Sequence, residues 1–96
     1  MEKKGYTYII TNKNNTTLYI GVTSNLIKRI WEHKNKVVEG FSKKYNLDKL
    51  VYYEMFEDIE NAIIREKFLK GKTRQYKINL INNMYAKWID LYNLIL

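Results

Sequence analysis

The sequence predicts a small α+β fold, a three-stranded antiparallel sheet flanked by helices. Three observations carry this expectation. Two segments rich in β-branched and aromatic residues, Tyr6–Thr11 and Thr16–Ile20, flank the turn-forming run Asn12-Lys13-Asn14-Asn15. A third apolar run, Lys49–Phe56, stands alone between helical stretches. Helical periodicity with capping residues fills the remainder, in the order ββαβαα with a short C-terminal helix.

Taken in order, the hairpin comes first. A turn centred between Lys13 and Asn14 places Tyr8 opposite Tyr19, on one face of the sheet, with the two phenols side by side. Gly21 then ends the second strand, where a side chain would crowd whatever lies beside those phenols. Ser24 or Asn25 caps a helix carrying Arg29 and His33 one turn apart. Leu26, Ile30 and Val37 form its buried stripe, Arg29 and His33 lie at the edge, and Ile27 with Trp31 extends the packed arc. Residues 38–47 read as a connecting loop whose basic, aromatic tip carries Phe41, Lys43, Lys44 and Tyr45. That tip suits a phosphate backbone and a stacked base, or equally a loop pinned to the core. Lys49–Phe56 is apolar on both faces, which points to the central strand. Asp58 caps a helix over Ile59–Lys70 that Gly71 stops, and Thr73 caps the next, bearing Tyr76, Ile78, Leu80 and Ile81. Trp88, Leu91, Tyr92, Leu94 and Ile95 form an amphipathic tail that closes the core.

Ninety-six residues suffice for one domain, spanning 1–96, and a monomer is the expected state. Without cysteine there are no disulfides, and a single His argues against a His/Cys zinc site. Lys3-Lys4 is followed by Gly-Tyr-Thr-Tyr, not by the apolar core of a signal peptide, and no apolar run is long enough to span a bilayer. A cytoplasmic location follows as the expectation. The net charge of +7 points to a polyanionic partner, most simply nucleic acid. Lys28, Lys34 and Lys36 form a basic margin on the first helix, and Lys43 and Lys44 extend it in the loop. Charge alone does not decide, because a chain rich in Lys, Asn, Ile and Tyr and lacking Pro also reflects an AT-rich coding bias.

Glu66 breaks the pattern of its helix. With Ile59 taken as zero, Ala62 falls at about −60°, Ile63 at about +40° and Glu66 at about −20°. A carboxylate inside the core-facing stripe is costly unless it is paired or holds a metal. Three readings follow: a ligand for Mg²⁺, which commonly takes one carboxylate from a protein, an ion pair with Lys43, Arg29 or Arg65, or a stripe set elsewhere on the helix, since Ile64 and Phe68 lie opposite.

The spacing of Tyr6-Thr7-Tyr8, Tyr19-Ile20-Gly21, Arg29 and His33 resembles the GIY-YIG nuclease superfamily, and Arg65-Glu66-Lys67 resembles its metal-glutamate segment. The stretches LYIGVTSNL, RIWEHKN, VEGFSKKYN, LVYYEMFEDIENAIIREK and WIDLY are similar to its small stand-alone, excinuclease-subunit-C-like group. The resemblance implies an endonuclease acting on nucleic acid, DNA in the first instance, with low sequence specificity and a setting in DNA repair. It implies a single Mg²⁺ or Mn²⁺ ion on Glu66, Tyr8 or Tyr19 activating water, and Arg29 and His33 at the scissile phosphate. Two departures stand out. Tyr6-Thr7 replaces the Gly-Ile of the motif, and Tyr85-Ala86-Lys87-Trp88 stands where close relatives place Asn-Pro before Glu-Trp. The second keeps an alternative open, a non-catalytic nucleic-acid-binding module on the same scaffold.

Overall fold

β1 (Gly5–Thr11) is buried along nearly its whole length and pairs on both sides, with β2 (Leu18–Thr23) and β3 (Lys49–Phe56). The computed structural model describes residues 4–96, so Lys3 of the basic pair lies outside the described residues. The sheet is antiparallel throughout, in the order β2-β1-β3. The expectation that Lys49–Phe56 is central is therefore corrected: it is an edge strand. Its two apolar faces arise because helices cover both sides of the sheet, which buries an edge strand as effectively as a central one.

The hairpin register also differs from expectation. Tyr8 lies opposite Gly21, and Tyr19 opposite Ile10. The connection is wider than a tight turn, because the Asn12 side-chain oxygen accepts from the Thr16 and Thr17 amides while Asn15 turns at φ 59°. This moves the turn centre by one residue and the register by two. An even shift preserves the faces, so Tyr8 and Tyr19 still share one, as diagonal neighbours. Gly21 does not end β2, which runs on to Thr23.

Asn25, Asp58 and Thr73 cap α1 (Leu26–Lys34), α3 (Ile59–Lys70) and α4 (Arg74–Met84), each accepting a backbone amide of the first turn. Between α1 and β3 a short helix, α2 (Phe41–Lys44), replaces the expected loop. The chain swings into it at Gly40, whose φ of 106° is a conformation that side chains resist. α5 (Tyr92–Ile95) ends the chain with Leu91 buried before it, though Leu94 faces solvent. α1 packs over a narrower arc than its composition suggests. It buries Leu26, Ile30 and His33, whereas Ile27 and Trp31 are exposed and Val37 lies beyond the helix, also exposed. The helical period does not reach Val37, because Lys36 turns at φ 56°.

Two cores result. On one face Tyr8, Ile10 and Leu50 pack with Leu26, Ile30, Leu47 and Leu91. On the other, Ile9, Ile20, Val51 and Tyr52 pack with Leu69 of α3 and Ile81 of α4. α3 sits close because Gly5 has no side chain: a Cβ there would fall 2.7 Å from that of Ala62. Thr7 donates to the Ala62 carbonyl at 2.7 Å, so the residue in place of the motif's Ile pins α3 one turn before Glu66. No helix among the described residues is long and apolar enough to cross a membrane.

Candidate active site

Strand alternation sends Tyr8 toward α1, and Gly21 leaves room for its phenol. A Cβ on Gly21 would lie 2.4 Å from both Cζ and the hydroxyl oxygen of Tyr8. The close approach that calls for glycine is thus to Tyr8 itself, 1% exposed. Its hydroxyl lies 2.9 Å from Nε2 of His33, and Nδ1 of His33 lies 3.1 Å from the Ser42 hydroxyl. Ser42 is buried on α2 and was invisible to sequence reasoning, because the segment carrying it reads as loop.

Both titratable members of this chain of hydrogen bonds, Tyr8 and His33, are neutral at physiological pH. Burial raises the Tyr8 pKa, with the Tyr19 phenol adding to the rise, Arg29 opposing it, and Glu66 and Glu32 adding smaller increments. Burial and, after it, the Arg29 charge lower His33 from 6.5 to about 4, with Glu32 partly opposing them. One proton per bond is then shared in either of two ways. Tyr8 donates to Nε2 while Nδ1–H donates to Ser42, or Ser42 donates to Nδ1 while Nε2–H donates to Tyr8. Both ring nitrogens of His33 are engaged inside the protein.

Tyr19 is half-buried, its ring meeting His33 edge-on at 6.2 Å and lying over Phe41 at 6.2 Å. The Lys70 ammonium sits 5.8 Å from its ring and reaches the Glu66 carboxylate at 3.3 Å. The partner of Glu66 is therefore Lys70, one turn on, and none of Lys43, Arg29 or Arg65. Those three are taken: Lys43 by Glu39, Arg29 by Glu32 at 3.3 Å, and Arg65 by Glu54 at 2.9 Å. The Arg29 side chain is still 40% exposed and lines a cleft with Thr23, Lys28 and Glu32.

The basic margin divides. Lys28, Lys36, Lys43 and Lys44 are exposed. Lys34 is turned inward, donating to the Asp48 carbonyl and paired with Asp90, which also accepts from the Leu50 and Tyr92 amides. Near the C-terminus Asn82 accepts from the Trp88 indole at 2.7 Å and Asn79 from Gln75 at 2.9 Å, so both amides are engaged locally.

Among the described residues no three His, Asp or Glu side chains gather in one place. The donor set is the single Glu66 carboxylate, 15% exposed and held by one i,i+4 lysine. That suits a hard cation such as Mg²⁺, which keeps most of its coordination for water and phosphate oxygens. The residues fit a singly anchored ion.

Comparison with known proteins identifies relatives of the chain. The GIY-YIG catalytic domain matches residues 4–80. A UPF0213 protein of Clostridium perfringens is 39% identical over 82 residues, covering 85% of this chain and 87% of the relative. One of Staphylococcus saprophyticus is 37% identical, covering 82% of this chain and 95% of the relative. The solution NMR structure of a UPF0213 protein from Bacillus halodurans superposes with a TM-score of 0.52 at 25% identity, covering 82% of this chain and 83% of that one.

Proposed function

The chain belongs to the GIY-YIG catalytic domain family, a nuclease superfamily, and from that premise we propose a divalent-metal-dependent endonuclease. It hydrolyses phosphodiester bonds in nucleic acid, DNA being the expected substrate, with little sequence specificity. The observation that carries this reading is the neutral Tyr8–His33–Ser42 chain, with Arg29 and Glu66 close enough to act on the phenol electrostatically.

Glu66 would hold the ion, which when bound supplies positive charge to the phosphoryl group and the leaving alkoxide. Tyr8 takes a proton from the attacking water as it passes its own to Nε2 of His33, so no free phenolate need form. His33 can accept because it is neutral, in the tautomer whose Nδ1–H donates to Ser42 and leaves Nε2 as the acceptor. Arg29 offers a planar fork to two phosphate oxygens and opposes the charge that grows on them. Lys28, Lys36, Lys43 and Lys44 bind the backbone on either side. The low tally of ligands supports weak metal binding in the absence of nucleic acid.

The non-catalytic alternative keeps one observation in its favour: Asn79 and Asn82, two asparagines near the C-terminus, bond within their own neighbourhood. A cleavage assay on single-stranded, duplex and branched oligonucleotides decides between them. The endonuclease cuts in Mg²⁺ or Mn²⁺ and stops in EDTA, whereas binding to all three without a cut in either metal establishes the alternative.

A further inference from the structure

A groove of about 310 Å³ runs beside Tyr19, lined by Leu18, Tyr19, Ile20, Phe41, Lys70 and Lys77. This is the small end of the range for ligand clefts. One wall is aromatic. Phe41 lies nearly parallel to Tyr19 at 25° and meets Tyr45 at 4.6 Å, yet it remains 48% exposed. Gly40 makes this display possible, since its φ of 106° turns the chain outward with nothing within 4 Å of where a Cβ would be. The opposite side is cationic: Lys70 comes from α3, and Lys77 from α4 makes no ion pair among the described residues. β2, which supplies Leu18, Tyr19 and Ile20, is an edge of the sheet.

We propose that this groove seats the base of an unpaired nucleotide next to the scissile phosphate, its face on Phe41 and its phosphate on Lys70 and Lys77. The inference rests on the nuclease reading of Tyr8 and Glu66 and names the substrate class within it. Single strands, or junctions with an unpaired nucleotide, are preferred over continuous duplex. An aromatic face opposite lysines is the combination that single-strand binding uses, because every base has a π-face and every nucleotide a charge. A duplex hides those faces against neighbouring pairs and must first expel a base to use them.

The test is fluorescence anisotropy in EDTA, where nothing is cut, with single-stranded and duplex oligonucleotides of equal length. Wild type should favour the single strand. Phe41→Leu keeps an apolar side chain and removes the ring, and should weaken single-strand binding about 5- to 100-fold while duplex binding changes by no more than about twofold. Phe41→Tyr should restore it, and Lys77→Gln should reduce the salt slope by about one ion. Equal losses on both substrates, or none on the single strand, overturn the proposal. So does a groove that serves self-association, seen as Phe41→Leu dissociating a wild-type dimer in sedimentation with oligonucleotide affinity unchanged. The two readings fail separately. Single-strand preference in EDTA without cleavage in Mg²⁺ sinks only the nuclease, and cleavage in Mg²⁺ with single strands bound and cut equally well by Phe41→Leu sinks only the groove.

Discussion

Two buried tyrosines on adjacent strands, Tyr8 and Tyr52, sit in hydrogen-bonded clusters of opposite character. Tyr52 on β3 donates to Glu54, which also accepts from Arg65 Nε at 2.9 Å. There the carboxylate and guanidinium neutralise each other in contact, and burial with the neighbouring Glu54 pushes Tyr52 up to about 12. Tyr8 on β1 is bonded to a neutral imidazole, and the charges that act on it come from Arg29 and Glu32 of α1 and Glu66 of α3. The first cluster joins a strand carboxylate to a helix guanidinium in direct contact, so it fastens β3 to α3. The second can shift a proton in either direction and has cations at hand for a phosphate. Arg65 and Glu66 make the contrast plain. They are consecutive on α3, about 100° apart around its axis, and one fastens the sheet through Glu54 while the other pairs with Lys70 beside Tyr19.

The two glutamates give the sharpest way to break this contrast. Glu66→Ala should abolish metal-dependent cleavage while moving stability by less than about 1 kcal/mol, since it removes an exposed i,i+4 pair and frees a half-buried carboxylate. Glu54→Ala should do the reverse, costing about 1–3 kcal/mol by leaving Arg65 without its partner and keeping cleavage. Thermal melts in EDTA beside cleavage assays check both, and a Glu66 variant that melts far below wild type yet still cuts would exchange the two roles. The tyrosines come next. Tyr8→Phe and Tyr52→Phe each lose one buried hydrogen bond, about 1 kcal/mol. Only Tyr8→Phe should slow single-turnover cleavage, by about 10²- to 10⁴-fold. If both variants cut like wild type, the Tyr8 cluster is packing like its counterpart.

Arg29→Lys is a smaller step. It keeps the charge and loses the fork, so cleavage should fall about tenfold while oligonucleotide affinity holds. Unchanged turnover would return Arg29 to an ordinary surface pair with Glu32. The last test leaves turnover aside and reads pH dependence. His33 is held at about 4 when folded against an ordinary 6.5, so between those values the unfolded chain binds more protons. This contribution to stability is complete above pH 6.5 and is lost as pH falls toward 4. Urea melts over that window should show wild type losing up to about 1.4 kcal/mol per pH unit more than His33→Gln. Parallel curves for the two proteins would mean that His33 is not buried neutral.

Local pattern alone determined a good deal about this protein. The α+β class, the Asn25, Asp58 and Thr73 caps, the shared face of Tyr8 and Tyr19, and the inward position of Glu66 all follow from periods of 2 and 3.6 residues. Those periods survive small errors in where a turn falls: the register slipped by two and the faces did not change. What the chain does at long range lay outside that reach. Only the tertiary structure decided that β1 and not β3 is central, that Gly21 lies under the Tyr8 phenol, and that Ser42 meets His33. The same holds for the inward turn of Lys34 to Asp90 and for the choice of Lys70 by Glu66 and Glu54 by Arg65. A side chain's face is set by its own backbone within a few residues, whereas its partner is set by which distant segments pack together. Chemistry depends on partners.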